Sequence, residues 1–223
     1  MEHLAPSLTL ANQQRDFVEW RKGRSSFAIW ALALDFPALI AASQSYRSHM
    51  AAYFLADYVR QPHITLHISG FPSKEMCFAD DFPPDEFERQ VERLQALELS
   101  PFTLEIGSPS SFSSAAYFSV HDATGKLEKI RQALGSRADD AYPYIPHVTF
   151  GLYRQQFPMT EVMDQLNAGP PWQPISVEIG KVSLMTYQAA VIGGLLSSQY
   201  EFKLNSAPRT QHLNACKLVR CFE

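Results

Sequence analysis

The sequence predicts an α+β fold built as two lobes related by a pseudo-twofold axis. One observation behind this is a repeated pentapeptide. Pro62-His63-Ile64-Thr65-Leu66 recurs as Pro146-His147-Val148-Thr149-Phe150, with one copy in each half of the chain. Both copies read proline, histidine, β-branched aliphatic, threonine, large apolar. A second observation is the order of elements around them. Each half reads strand, helix, motif-bearing strand, then a helix and further strands. A third is the period, which is far too long for a solenoid. Two diverged units packed together are therefore expected rather than a stack.

The totals fit an ordinary globular protein. With 223 residues, 46% hydrophobic and 19% charged, the chain can form one large domain or two lobes with a shared core. A net charge of −4 argues against a long groove tracking a nucleic-acid backbone, while a small anion or one RNA end stays compatible. Cys77, Cys216 and Cys221 are odd in number and match no zinc or redox spacing, so reduced thiols are expected. No cationic start precedes an apolar stretch, and the longest apolar run, Phe27 to Ile40, is broken by Asp35 and Pro37. A cytoplasmic protein without a membrane partner, working as a monomer, is expected.

Residues 1–26 read as an N-terminal extension, 27–205 as a single bilobal domain and 206–223 as a tail. Within the extension the first ten residues look loose, and Asn12 to Lys22 should form a short helix stopped by Gly23. Phe27 to Leu34 is dense enough in apolar residues for a strand buried on both faces. Asp35 should cap the next helix, with Pro37 early in it and Leu39, Ile40 and Tyr46 facing inward through about Ala52. Tyr58 to Ser69 alternates and is a strand that Gly70-Phe71-Pro72 ends, with Pro62 tolerated near its start. Asp80 to Pro84 reads as a loop. Pro84 to Leu97 is a helix with Phe87, Val91, Leu94 and Leu97 as its stripe. Phe102 to Ile106 is a strand and Gly107 to Ser114 a serine-rich loop. Ala115 to Val120 is a strand. Asp122 caps a helix carrying Leu127, Ile130 and Leu134, closed by Gly135. Ser136 to Pro143 is a polar turn. Tyr144 to Tyr153 is the second motif strand, and Thr160 to Asn167 a helix stopped by Gly169-Pro170-Pro171. Ile175 to Tyr187 and Gln199 to Leu204 close the fold as strands.

Side chains at i and i+2 of a strand share a face about 6.5–7 Å apart. His63 therefore shares a face with Thr65, and His147 with Thr149. A twofold axis between the lobes would let the two faces confront each other across a groove. Such a set suits a phosphodiester. A neutral imidazole takes a proton from the attacking oxygen, and a protonated one gives a proton to the leaving oxygen. Two threonine hydroxyls donate to the non-bridging phosphate oxygens. The scheme requires no metal and no other cofactor. His67 lies on the same face by simple alternation, but residues four apart on a strand are about 13 Å apart, too far to chelate one ion with His63. No G-x-S-x-G supports a serine nucleophile, and nothing singles out Cys77.

The paired motifs resemble those of the 2H phosphoesterase superfamily, closest to its LigT-like 2′-5′ RNA ligase or RNA 2′,3′-cyclic phosphodiesterase branch. The likeness spans roughly Phe27 to Leu204. It implies a bilobal α+β fold with antiparallel sheets around a central cleft. It also implies metal-free hydrolysis of a 2′,3′-cyclic phosphate, on an RNA end or a nucleotide, or of a 2′-5′ phosphodiester. Carried over, His63 and His147 are the catalytic acid–base pair, and Thr65 and Thr149 bind the phosphate. By analogy His63 is the acid to the leaving ribose oxygen and His147 the base to water. Alternatives are a nucleotide- or RNA-end-binding module with little turnover, and a 2′-5′ RNA ligase. Departures lie around the motifs. No basic residue follows Thr149 on the cleft side, since alternation points Gly151 and Tyr153 inward and Arg154 outward. Tyr153 is expected in the core rather than stacked on a base, and His67 as a satisfied buried histidine.

Overall fold

Phe27 to Leu32 are all buried because β1 (Ser26–Ala33) lies inside a five-stranded sheet with apolar packing on both faces. The computed structural model describes residues 7–135 and 143–204. Around β1 the first sheet adds β2 (His63–Pro72), β3 (Asp81–Phe82), β8 (Lys181–Gln188) and β9 (Ser197–Lys203), in the order β3-β2-β1-β8-β9. The second sheet has β4 (Phe102–Ser111), β5 (Ala115–His121), β6 (His147–Leu152) and β7 (Ile175–Ile179), in the order β6-β5-β4-β7. All pairings are antiparallel except that of β2 with β3. The expected bilobal α+β architecture is present.

The helices α2 (Pro37–His49) and α4 (Lys126–Ala133) each connect two neighbouring strands, β1 to β2 and β5 to β6. Each helix packs on the opposite sheet. Tyr46 of α2 lies against Phe118 and Phe150 of the second sheet, and its hydroxyl donates to the Pro170 carbonyl. α4 packs beside α3 (Pro84–Ala96) and against β2 of the first sheet. The helix α5 (Met159–Asn167) packs on β4. The two repeats are thus interleaved, and a lobe is not a half of the sequence. Among the described residues no helix is long and apolar enough to cross a membrane.

Several boundaries differ from expectation, each for a local reason. The first helix, α1 (Val18–Arg21), is one turn only. Asn12 instead donates its backbone N–H to the Tyr153 carbonyl, so the segment before α1 lies along the second lobe. Asp35 does not cap α2: its N-cap is Phe36, with no side-chain bond, and Pro37 opens the helix. Ile40 is half-buried. Both motif strands begin at the histidine and not at the upstream tyrosine, because Pro62 and Pro146 offer no ladder N–H. Gly70 to Pro72 continue β2, since Phe71 and Pro72 pair in parallel with Asp81 and Phe82. The backbone there needs glycine: Gly70 has φ +115° and its Cβ would lie 2.3 Å from the Asp80 carbonyl oxygen. Most of the serine-rich stretch is strand, as β4 runs to Ser111. Ile175 to Tyr187 is two strands in different sheets, divided at Gly180. Asp122 does hold the start of α4, taking the Leu127 N–H at 2.7 Å from outside the helix, although Gly125 is the N-cap. Most of the turn at 136–143, the tail, Cys216 and Cys221 lie outside the described residues, and Cys77 is an exposed free thiol.

Candidate active site

The site starts with the proline of each motif. Its fixed φ holds the chain between a carbonyl and the histidine two residues later. His63 Nδ1 lies 2.8 Å from the Gln61 carbonyl oxygen, and His147 Nδ1 lies 2.7 Å from that of Ile145. A carbonyl only accepts, so each Nδ1 carries the hydrogen. In both neutral rings Nε2 is left with the lone pair, as proton-transfer chemistry requires.

The environments of the two rings differ. His63 is buried, and burial, seconded by the charges of Arg60 and His147, lowers its pKa to about 4 against the opposing pull of the Gln61 carbonyl. His147 is half-buried; burial lowers its pKa too, partly offset by the Ile145 carbonyl. Its ring meets Phe112 edge-on at 4.9 Å and Tyr117 at 5.5 Å. The strands that carry the two histidines, β2 and β6, run close to each other between the lobes. Thr65 and Thr149 are half-buried beside them, each on its strand's histidine face.

Just after each threonine the two strands share an irregularity. Thr65 faces Ala31 while His67 faces Trp30, so Leu66 is an extra residue in β2. Thr149 faces Tyr117 while Gly151 faces Ala116, so Phe150 is an extra residue in β6. A β-bulge therefore occupies the fifth motif position twice, and it shifts the phase of everything downstream. This corrects two expectations. His67 leaves the His63 face: it is half-buried, with its Cε1 3.9 Å from where a Cβ on Gly135 would lie. Gly151 and Tyr153 turn away from the cleft. Tyr153 is fully buried in the core as expected, with its hydroxyl 2.6 Å from Ser111 Oγ, and Leu152 takes the cleft side.

A cation beside His63 comes from just before the first motif. Arg60 donates to the Gly194 carbonyl at 2.9 Å and lies over the Tyr187 ring at 4.1 Å. Together with His63, Gln61, Arg47, Met185 and Leu196 it lines a cavity of about 430 Å³. On its other side Arg60 borders a second cavity, of about 330 Å³, walled by Leu152, Tyr187 and, from the N-terminal extension, Phe17 and Trp20. Arg60 was findable as the cation three residues before His63. Phe112, Tyr117, Phe17 and Trp20 had no such signal, because their placement depends on sheet pairing and on the path of the extension.

The model of the 2′-5′ RNA ligase superfamily matches residues 36–190. The chain belongs to this family, that of the 2H phosphoesterases. Its fold is similar to that of Escherichia coli LigT complexed with 3′-AMP, with a TM-score of 0.53, 15% identity, and coverage of 82% of this chain and 99% of that one. It is also similar to TT0787 of Thermus thermophilus, with a TM-score of 0.51, 14% identity, and coverage of 80% and 97%. No curated protein matches the chain. Family membership makes it a member of an enzyme superfamily of phosphoesterases and ligases.

Proposed function

We propose that the protein is a metal-independent phosphodiesterase that hydrolyses a 2′,3′-cyclic phosphate, on an RNA end or a nucleotide, or a 2′-5′ phosphodiester. The matched Nδ1–H bonds of His63 and His147 carry this proposal, since they prepare two Nε2 atoms for proton transfer at equivalent places. Nε2 of His147 takes a proton from water as the water oxygen attacks phosphorus. Protonated His63 gives its proton to the leaving ribose oxygen as the P–O bond breaks. Thr65 and Thr149 donate to the non-bridging oxygens. A nucleotide as ligand is supported by the likeness to LigT complexed with 3′-AMP.

His63 with a pKa of about 4 is neutral near pH 7 in the free protein. Serving as the acid requires the substrate's charge. A unit negative charge about 4 Å away contributes on the order of 4 kcal/mol at an effective dielectric of about 20, or roughly three pKa units. The charge of the bound phosphate therefore raises the His63 pKa and favours its protonated form. The protonated acid is then assembled by the substrate that it cleaves.

The test supplies RNA ending in a 2′,3′-cyclic phosphate, with chelator and no added metal. Cleavage that persists with chelator and drops by a factor of roughly 10² or more in both His63→Ala and His147→Ala is the expected result. Activity untouched by either change overturns the proposal. Tight binding of a nucleoside 3′-phosphate without product over hours indicates a binding module, and a joined 2′-5′ product indicates ligation.

A further inference from the structure

The bulged residue of a strand has no full place in the ladder, and its carbonyl needs another donor. Here the donor at both motifs is an arginine from the helix of the other repeat. Arg131 of α4 donates to the Leu66 carbonyl at 2.8 Å. Arg47 of α2 donates to the Phe150 carbonyl at 2.7 Å, and also to the Arg60 carbonyl at 2.9 Å. One residue earlier the pattern repeats with tyrosine. Tyr144 donates to the Thr65 carbonyl at 2.8 Å, and Tyr58 to the Thr149 carbonyl at 3.4 Å. Each arginine lies over the tyrosine of its own repeat, Arg131 over Tyr144 at 3.6 Å and Arg47 over Tyr58 at 4.8 Å. Burial raises the pKa of both tyrosines, so their hydroxyls stay protonated and remain donors.

We propose that the Arg47–Tyr58 and Arg131–Tyr144 pairs are positioning residues that set the gap between His63 and His147, each pair gripping the bulge of the motif strand in the other repeat. Arg131, Tyr144 and Tyr58 line neither cavity beside Arg60, and Arg47, which lines the one beside His63, has its guanidinium taken up by the Phe150 and Arg60 carbonyls. Each pair spans the carbonyls of the motif threonine and of the bulged residue next to it. The interleaving of the repeats makes the grip reciprocal, so neither motif strand can slide without breaking a bond to the other repeat. The catalytic part of this inference rests on the proposed acid–base role of the two histidines; the mechanical part does not.

The experiment uses the full chain with Arg131→Met, Arg47→Met and the milder Tyr144→Phe. Amide hydrogen exchange is followed along both motif strands, and kcat and KM are measured on the cyclic-phosphate RNA. Arg131→Met is expected to speed exchange at 64–68 on the order of tenfold and to leave 148–152 unchanged. Arg47→Met is expected to do the reverse, acting on a strand 103 residues away in sequence. Should either methionine variant fail to fold, Tyr144→Phe carries the test, with about threefold faster exchange confined to 64–68. In Arg131→Met, whose arginine lines neither cavity beside Arg60, kcat should fall on the order of a hundredfold with KM within about threefold, as for a misplaced acid–base pair. Arg47→Lys should not restore kcat, because one ammonium lacks the fixed fork by which Arg47 bridges the Phe150 and Arg60 carbonyls. Exchange that rises equally on both strands, or only in the mutated helix, overturns the grip. A raised KM with unchanged kcat overturns the positioning role. A wild-type chain without turnover overturns the proposed function instead, and the exchange pattern still decides the grip.

Discussion

Lowering the pH from about 7.5 to about 5 should weaken the fold through His63 by about 2 kcal/mol. The residue is 7% exposed, and burial first, then the charges of Arg60 and His147, lowers its pKa from 6.5 to about 4. The folded-state value is the depressed one. Below pH 6.5 the unfolded chain takes up a proton that the folded chain refuses until about pH 4. The stability tied to a neutral His63 is therefore complete above about pH 7 and is lost as the pH falls through this window. At pH 5 the linkage relation gives about 2 kcal/mol, rising to about 3 kcal/mol below pH 4. Urea unfolding of wild type and His63→Asn at both pH values reads it directly, since the asparagine amide nitrogen stands where Nδ1 does and can still donate to the Gln61 carbonyl but does not titrate. Wild type should lose about 2 kcal/mol more than the variant. Losses equal within about 0.5 kcal/mol would refute a buried neutral imidazole. Added sulfate should narrow the gap at pH 5, because an anion beside His63 favours its charged form.

Thr65→Val and Thr149→Val should each lower kcat/KM about 10- to 100-fold by removing one hydroxyl donor to a charged phosphate, with melting temperature as the control. Gly151→Ala should destabilise by about 1–3 kcal/mol in urea unfolding, because its Cβ would stand 2.4 Å from the ring of the buried Phe54. An Arg24→Met variant should lose about 3 kcal/mol near neutral pH, since it leaves Asp81, with a side chain 1% exposed, without its cation. Burial pushes the Asp81 pKa up, but Arg24 and the N–H groups of Cys77 and Phe78 pull it below 3.8. That stabilisation is present above the unfolded carboxylate pKa and fades as the pH falls below it, so wild type and variant should converge in acid.

The repeated Pro-His-x-Thr string, the strand character of its surroundings and the pairing of His63 with Thr65 and of His147 with Thr149 were all legible in the chain, because strand alternation is local. The helices over Pro84–Ala96 and Met159–Asn167 were legible too, since their stripes repeat within one element. What the tertiary structure decided lies beyond that range. The bulges at Leu66 and Phe150 depend on what each strand faces in β1 and β5, and they turned His67 and Tyr153 away from the cleft. The crossing of α2 and α4 to opposite sheets joins Arg47 to Phe150 and Arg131 to Leu66, contacts that no local pattern encodes. Periodicity reports which face a residue shares with its neighbours. It carries no record of an inserted ladder residue or of a partner contributed by the other repeat, and although Arg60 is near His63 in the sequence, the Gly194 carbonyl and Tyr187 ring that hold its side chain are supplied by long-range packing.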